Sequence, residues 1–136
     1  MEIPWLVKGS AEGDVVVMAS KFELASAWRS PVFLLYALRL WRQALRSPGV
    51  LGVSLRARPL SGTFWTLSAW TDRQALYAYA KTAPHGPAMK KISPWMKDST
   101  FRFWQIQAET LPAPRAATAL WADGETRLAQ PDPVHP

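Results

Sequence analysis

The chain has no cysteine. No disulfide can form, and thiolate nucleophiles and cysteine-held zinc sites are excluded with it. Histidine is nearly as scarce: His85 and His135 are the only two, far apart, and His135 lies one residue from the end of a proline-rich tail. That spacing offers no metal cluster. Long apolar runs are also missing. PVFLLYALRLW, residues 31–41, is about half the length a bilayer needs and is interrupted by Arg39. The first residues, MEIPWLVKGSAEGD, carry acids and a proline where a secretory leader would be apolar. The expectation is a soluble protein of the reducing cytoplasm, with no membrane span.

Acids are short in one region. Between Leu24 and Lys97 stand eleven lysines and arginines against a single acid, Asp72, within a chain of net charge +6. Such a middle section projects a positive field that draws in anions: a carboxylated or phenolate small molecule, haem propionates, nucleic acid or an acidic lipid surface. No recognition-helix, RNP or OB signature supports nucleic acid. Paired carboxylates, a Ser-His-Asp order and a glycine-rich phosphate loop are absent too. Hydrolytic acid–base chemistry is hard to build from so few acids.

What is present reads as alternating strands and helices. From Asp14, VVVMASKFEL is a β-branched run expected to form a strand buried largely on both faces. SPVFLLYALRLWRQALRSPG, from residue 30, reads as a helix with Ser30 as N-cap, Pro31 in the first turn and Ser47-Pro48-Gly49 as its stop. Leu34, Leu38, Trp41 and Leu45 recur at helical spacing, with Arg39, Arg42 and Arg46 on a basic flank. GVLGVSLRAR and GTFWTLSAW follow as a hairpin around Pro59–Gly62, with Phe64, Thr66, Ser68 and Trp70 on one face and Trp65, Leu67 and Ala69 on the other. Asp72 caps a second helix, DRQALYAYAKTA, which Pro84 ends. A short helical turn, GPAMKKI, leads to a last strand, FRFWQIQAE, residues 101–109.

The order β-α-β-β-α-β is the split βαβ arrangement. It predicts an α+β, ferredoxin-like domain over 1–110: a four-stranded antiparallel sheet with both helices on one face and 1–13 as an N-terminal extension. Residues 111–136 read as an Ala/Pro-rich tail that wraps the surface or a partner subunit, or is partly disordered. A bare second sheet face predicts a homodimer packed sheet to sheet.

Eight tryptophans in 136 residues are many, and indoles suit a pocket for a flat aromatic ligand. Trp70 is the best placed, ending the aromatic strand just before the helix that leads to His85; Trp41, Tyr77 and Trp95 complete the candidate substrate set, and Trp65, Tyr79 and Trp104 share its composition. Arg39, with Arg42 and Arg46, can hold a carboxylate or a developing anion. His85, inside TAPHGPAMKK, is a candidate general base, because imidazole titrates near neutrality. The competing reading makes His85 a polar turn residue and the arginines a solvated helix flank.

TFWTLSAWTDRQALYAYAKTAPHGPAMKKISPWMKDSTFRFWQI, residues 63–106, resembles the dimeric α+β barrel superfamily in its antibiotic-biosynthesis-monooxygenase-like branch. There an aromatic strand ending in Trp runs into a helix that ends near a His. SPVFLLYALRLWRQALRSPGVLGVSLRARP, residues 30–59, is weakly similar to spheroidene monooxygenases, which oxygenate carotenoids. The resemblance implies a homodimer and a pocket between sheet and helices for a flat hydrophobic or aromatic, polyketide- or carotenoid-like substrate. It implies oxygenation without metal or flavin, with His85 as catalytic residue. Other branches put haem in this pocket, which would make His85 a ligand to the iron; some members only bind or isomerise small molecules, which leaves a non-catalytic binding or dimerisation module as a further reading.

Overall fold

The computed structural model describes residues 1–81 and 85–130, with 85 and 86 described only as the start of a helix. Five strands form one sheet: β1 (Glu2–Val7), β2 (Asp14–Leu24), β3 (Val50–Arg58), β4 (Thr63–Trp70) and β5 (Met96–Gln107), in the order β1-β3-β4-β2-β5. All neighbours are antiparallel. Helices α1 (Ser30–Leu45), α2 (Arg73–Lys81) and α3 (His85–Ile92) fall between the strands, and α4 (Thr118–Ala129) follows β5. β2 and β3 are joined through α1 with β4 inserted between them, so the ferredoxin-like core expected from the sequence is present.

The faces of β4 divide as its alternation predicts. Phe64 and Trp70 pack with residues of α1, α2 and α3, while Leu67 and Ala69 belong to the core on the opposite side. β2, paired to β4 over Val16–Glu23 and to β5 over Asp14–Leu24, is buried on both faces, as its β-branched run requires.

The sheet differs from the sequence reading at both ends of the chain. Residues 1–13 are not a mere extension, because β1 pairs with the edge of β3, Ile3 opposite Leu55 and Val7 opposite Gly52. Pro4 argues against a strand, yet an edge strand tolerates a missing donor. Trp5 is buried against Gly52, where a Cβ would come within 2.2 Å of the indole. β5 begins at Met96, five positions before the expected start: the polar stretch Asp98–Thr100 looks like a loop but pairs with Lys21–Glu23 on an open edge, where its side chains stay in water. Ser30 does not cap α1. It lies inside the helix, and its hydroxyl donates to the carbonyl of Pro59 at 2.6 Å. Asp72 does cap α2, accepting from the Ala75 amide at 2.8 Å.

The larger correction is α4. The segment read as an Ala/Pro-rich tail folds back as a helix on the second face of the sheet, so helices cover both faces. Leu120 and Trp121 are buried there with Val15, Val17, Ala19, Leu67, Ala69 and Trp104. Trp121 Nε1 donates to Ser54 Oγ at 3.2 Å, and Ser54 Oγ donates to the Ile3 carbonyl at 2.7 Å. The Arg56 guanidinium lies 4.3 Å from the centre of the Trp121 ring and pairs with Glu2 at 2.7 Å and Glu125 at 3.2 Å. Gly124 packs against the sheet, where a Cβ would sit 3.4 Å from that of Ala19, in ordinary contact. The helix has no side-chain N-cap and carries this glycine internally; its helicity therefore depends on docking. The bare face on which the homodimer expectation rested is thus covered by the chain's own α4.

Trp121→Ala is expected to lower unfolding free energy by about 3–5 kcal/mol in urea denaturation, because it removes a ring buried to 2% exposure. Since the chain has no cysteine, Ala19→Cys with Gly124→Cys creates one possible bridge at a separation suited to a disulfide. Oxidation should link the two within one chain, read as a monomer on a non-reducing gel with both thiols lost. A bridge between two chains would mean that α4 covers a partner's sheet instead.

Candidate functional site

Between the sheet and α1–α3 lies a cavity of about 80 Å³. Its floor is the inward face of β2 and β4, and its roof is Phe33, Leu40 and Trp41 of α1, Tyr79 of α2 and Met89 of α3. The alternation of β4 that sends Phe64 and Trp70 inward also sends Thr66 and Ser68 inward, and Ser20 of β2 lies opposite Thr66. These hydroxyls sit among aromatic rings. Buried hydroxyls need partners: Ser20 and Thr66 pair with each other, and Ser68 Oγ accepts from Trp70 Nε1 at 2.8 Å. Trp41 Nε1 is buried and has no hydrogen-bond partner among the described residues. An indole N–H left open in the lining of a cavity is a ready donor to a ligand oxygen.

Tyr79 separates this cavity from an open groove. Its ring stacks on Trp70 at 5.1 Å, and its hydroxyl donates to the Leu40 carbonyl at 3.0 Å. Burial pushes the phenol's pKa far above its ordinary value, so Tyr79 stays protonated and neutral. Among the described residues lining the cavity it is the sole titratable one. On its other side the groove, about 770 Å³, runs between α1 and α2 and is edged by Arg39, Arg42 and Arg46.

The sequence-predicted residues separate into three places. Trp70 and Trp41 line the cavity. Arg39 edges the open groove, outside the cavity. Tyr77 is exposed, its hydroxyl accepting from Arg73 at 3.4 Å, and Trp95 packs beyond the cavity, edge-on to Tyr36 and 4.8 Å from the Arg29 guanidinium. Helical phase explains Tyr77: two residues before Tyr79, it falls on the opposite side of α2. His85 is the first residue of α3, but its side chain lies outside the described residues, as do Pro84 and His135. Sequence reasoning missed Ser20, Thr66, Ser68 and the roof residue Met89. The signal was available in β4, where two hydroxyl residues share the inward face with Phe64 and Trp70.

No family model matches the sequence, and no curated protein matches it. Solved structures do match. A mutant form of SnoaB, a cofactor-independent oxygenase from Streptomyces nogalater, superposes with a TM-score of 0.58 at 20% identity, covering 73% of this chain and 98% of its own. An antibiotic biosynthesis monooxygenase gives 0.60 at 18% identity, over 65% of this chain and 95% of that one. A conserved protein from Methanosarcina mazei Go1 gives 0.59 at 12%, over 66% and 90%. These three proteins are covered almost whole, whereas a quarter to a third of this chain lies outside each match. The element order, the sheet topology and these superpositions together assign the chain the α+β fold of the antibiotic biosynthesis monooxygenase-like proteins.

Proposed function

We propose that the chain is a monooxygenase-like enzyme acting on a flat hydrophobic or aromatic small molecule, polyketide- or carotenoid-like, held between the sheet and α1–α3. The observation that carries the reading is the cavity itself: apolar walls, a floor of buried hydroxyls and an unpartnered Trp41 N–H. Its volume suits one functional group, since sites for whole ring systems run to about 300 Å³ and above. The reacting edge of the substrate enters. The remaining rings lie over Phe101, which lines the cavity, and Phe103 beyond it on the same face of β5, both about 40% exposed. Trp41 Nε1 holds the substrate oxygen, and Trp70 with Tyr79 forms a neutral end wall.

The shortage of titratable groups among the described lining residues supports the substrate class. A phenol or enol that loses one proton becomes its own reductant toward dioxygen, keeping one oxygen atom and releasing the other as water. The protein then has to supply only a base, exclusion of water and a donor at the substrate oxygen. His85 takes the part of base. It opens α3, the helix that carries Met89 and Ile92 of the cavity lining. The residues present do not fit haem: its iron sits at the centre of the macrocycle, so the entire ring would have to enter a space of about 80 Å³.

With a dihydroxyanthrone as probe and an oxygen electrode as readout, the protein is expected to consume oxygen, and His85→Ala to lower kcat by about a hundredfold or more. A folded His85→Ala variant with unchanged rate removes the base; a folded wild-type chain with no uptake across a panel of hydroxylated polycycles favours a non-catalytic binding module. Trp41→Phe should raise KM with the fold intact by circular dichroism. Tyr79 gives a pH test. Its pKa is raised in the folded state, so its contribution to stability is present below the unfolded value of about 10 and is lost as pH rises above it. Urea titrations should show stability falling above about pH 10, with a shallower fall in Tyr79→Phe.

A further inference from the structure

α1 shows solvent a stripe that its buried side does not explain. Trp28, in the single turn Ala27–Arg29 that enters α1, is 72% exposed; Val32 and Leu35 are 46% and 59% exposed. Arg39, Arg42 and Arg46, also exposed, continue the series. The spacings run four, three, four, three, four, which at about 100° per residue keeps all six within roughly a quarter of a turn. The inward side of the same helix is already satisfied by Phe33, Leu40 and Ala44. Beside the stripe's apolar end stands Leu60, 98% exposed, in the turn Pro59–Ser61 that touches Ala27–Arg29. Arg29 stacks over Trp28 at 4.6 Å.

The charge on this side is uncompensated. Residues 30–46 contain no acid, and among the described residues Arg39, Arg42 and Arg46 form no ion pair. Large apolar side chains projecting singly into water beside three such arginines fit a partner that is both anionic and deformable. A protein partner would need a surface shaped to four separate projections. A lipid surface needs none, because its headgroup layer admits each side chain independently while arginines meet the anionic headgroups. No helix among the described residues is long and apolar enough to cross a membrane, and the stripe lies along its helix as a surface contact requires.

We infer that the outer stripe of α1 docks the protein on an anionic lipid surface, with Trp28, Val32, Leu35 and Leu60 entering the headgroup boundary and Arg39, Arg42 and Arg46 lying among the headgroups. The full chain, sedimented with vesicles of phosphatidylcholine containing phosphatidylglycerol, should partition onto them far more than onto phosphatidylcholine alone, and less as salt rises. Each basic residue in contact is worth about fivefold in partition. Arg42→Gln with Arg46→Gln should therefore weaken binding about thirtyfold, whereas Lys97→Gln with Arg115→Gln, an equal loss of charge elsewhere, should change it little. Trp28→Ala with Leu35→Ser should weaken binding to both vesicle types. All six positions are exposed, so these variants keep the fold, as circular dichroism checks. Absence of partition onto phosphatidylglycerol vesicles overturns the inference, and so does an equal effect from the two charge pairs. Concentration-dependent self-association abolished by Trp28→Ala with Leu35→Ser, without vesicle binding, would assign the stripe to a second copy and overturn it equally.

Discussion

The fold depends on one constraint: the central strands β2 and β4 carry large apolar side chains on both sides, so the sheet must be covered twice. α1, α2 and α3 supply the first cover and α4 the second. Because Val15, Val17 and Ala19 alternate with Val16, Met18 and Ser20 along β2, neither cover can be lost without returning apolar surface to water at about 25 cal/mol per Å². Arg56 and Ser54 tie the second cover down, joining β1, β3 and α4 through Glu2, Glu125, Trp121 and the Ile3 carbonyl. The first strand and the last helix, β1 and α4, are therefore fastened to each other through β3.

The two covers are made differently, and the candidate site follows from the difference. Under α4 the packing is close, and Gly124 lies against Ala19, Trp104 and Leu67 with room only for ordinary contact. Under α1–α3 the floor carries hydroxyls, and bulky rings on the helices bridge over them without filling the space. Hydroxyls in that position must pair with one another or with an indole. Their fixed arrangement is what turns a packing gap into a polar-floored cavity. Tyr79, held to the backbone of α1 and stacked on Trp70, closes one end without adding charge.

α1 serves three surfaces at once. Phe33, Leu40 and Ala44 join the core, Trp41 edges the cavity, and Val32, Leu35 and the arginines face outward in line with Trp28 of the preceding turn. A helix with this many apolar positions reads as strongly amphipathic in whichever direction it is viewed. Its basic flank can be seen in the sequence, but the apolar residues in line with that flank become notable only when the opposite face is known to be the buried one.

By itself the sequence determined the α+β order, the faces of β4 and the cap at Asp72, because strand alternation and capping chemistry are local. It also held the inward hydroxyls of β4 in plain alternation. The tertiary structure decided what depends on contact between distant segments. β1 is a strand because the edge of β3 was open and Gly52 leaves room for Trp5. α4 is a helix because a sheet face assembled from β2, β4 and β5 stabilises a segment whose own composition, with no cap and an internal glycine, does not. Tyr77 and Trp95 share the residue type of the cavity's rings but lie outside its lining by phase and packing; a local pattern names which residues can fill a pocket, and only the closing of the sheet against its helices determines which of them face it.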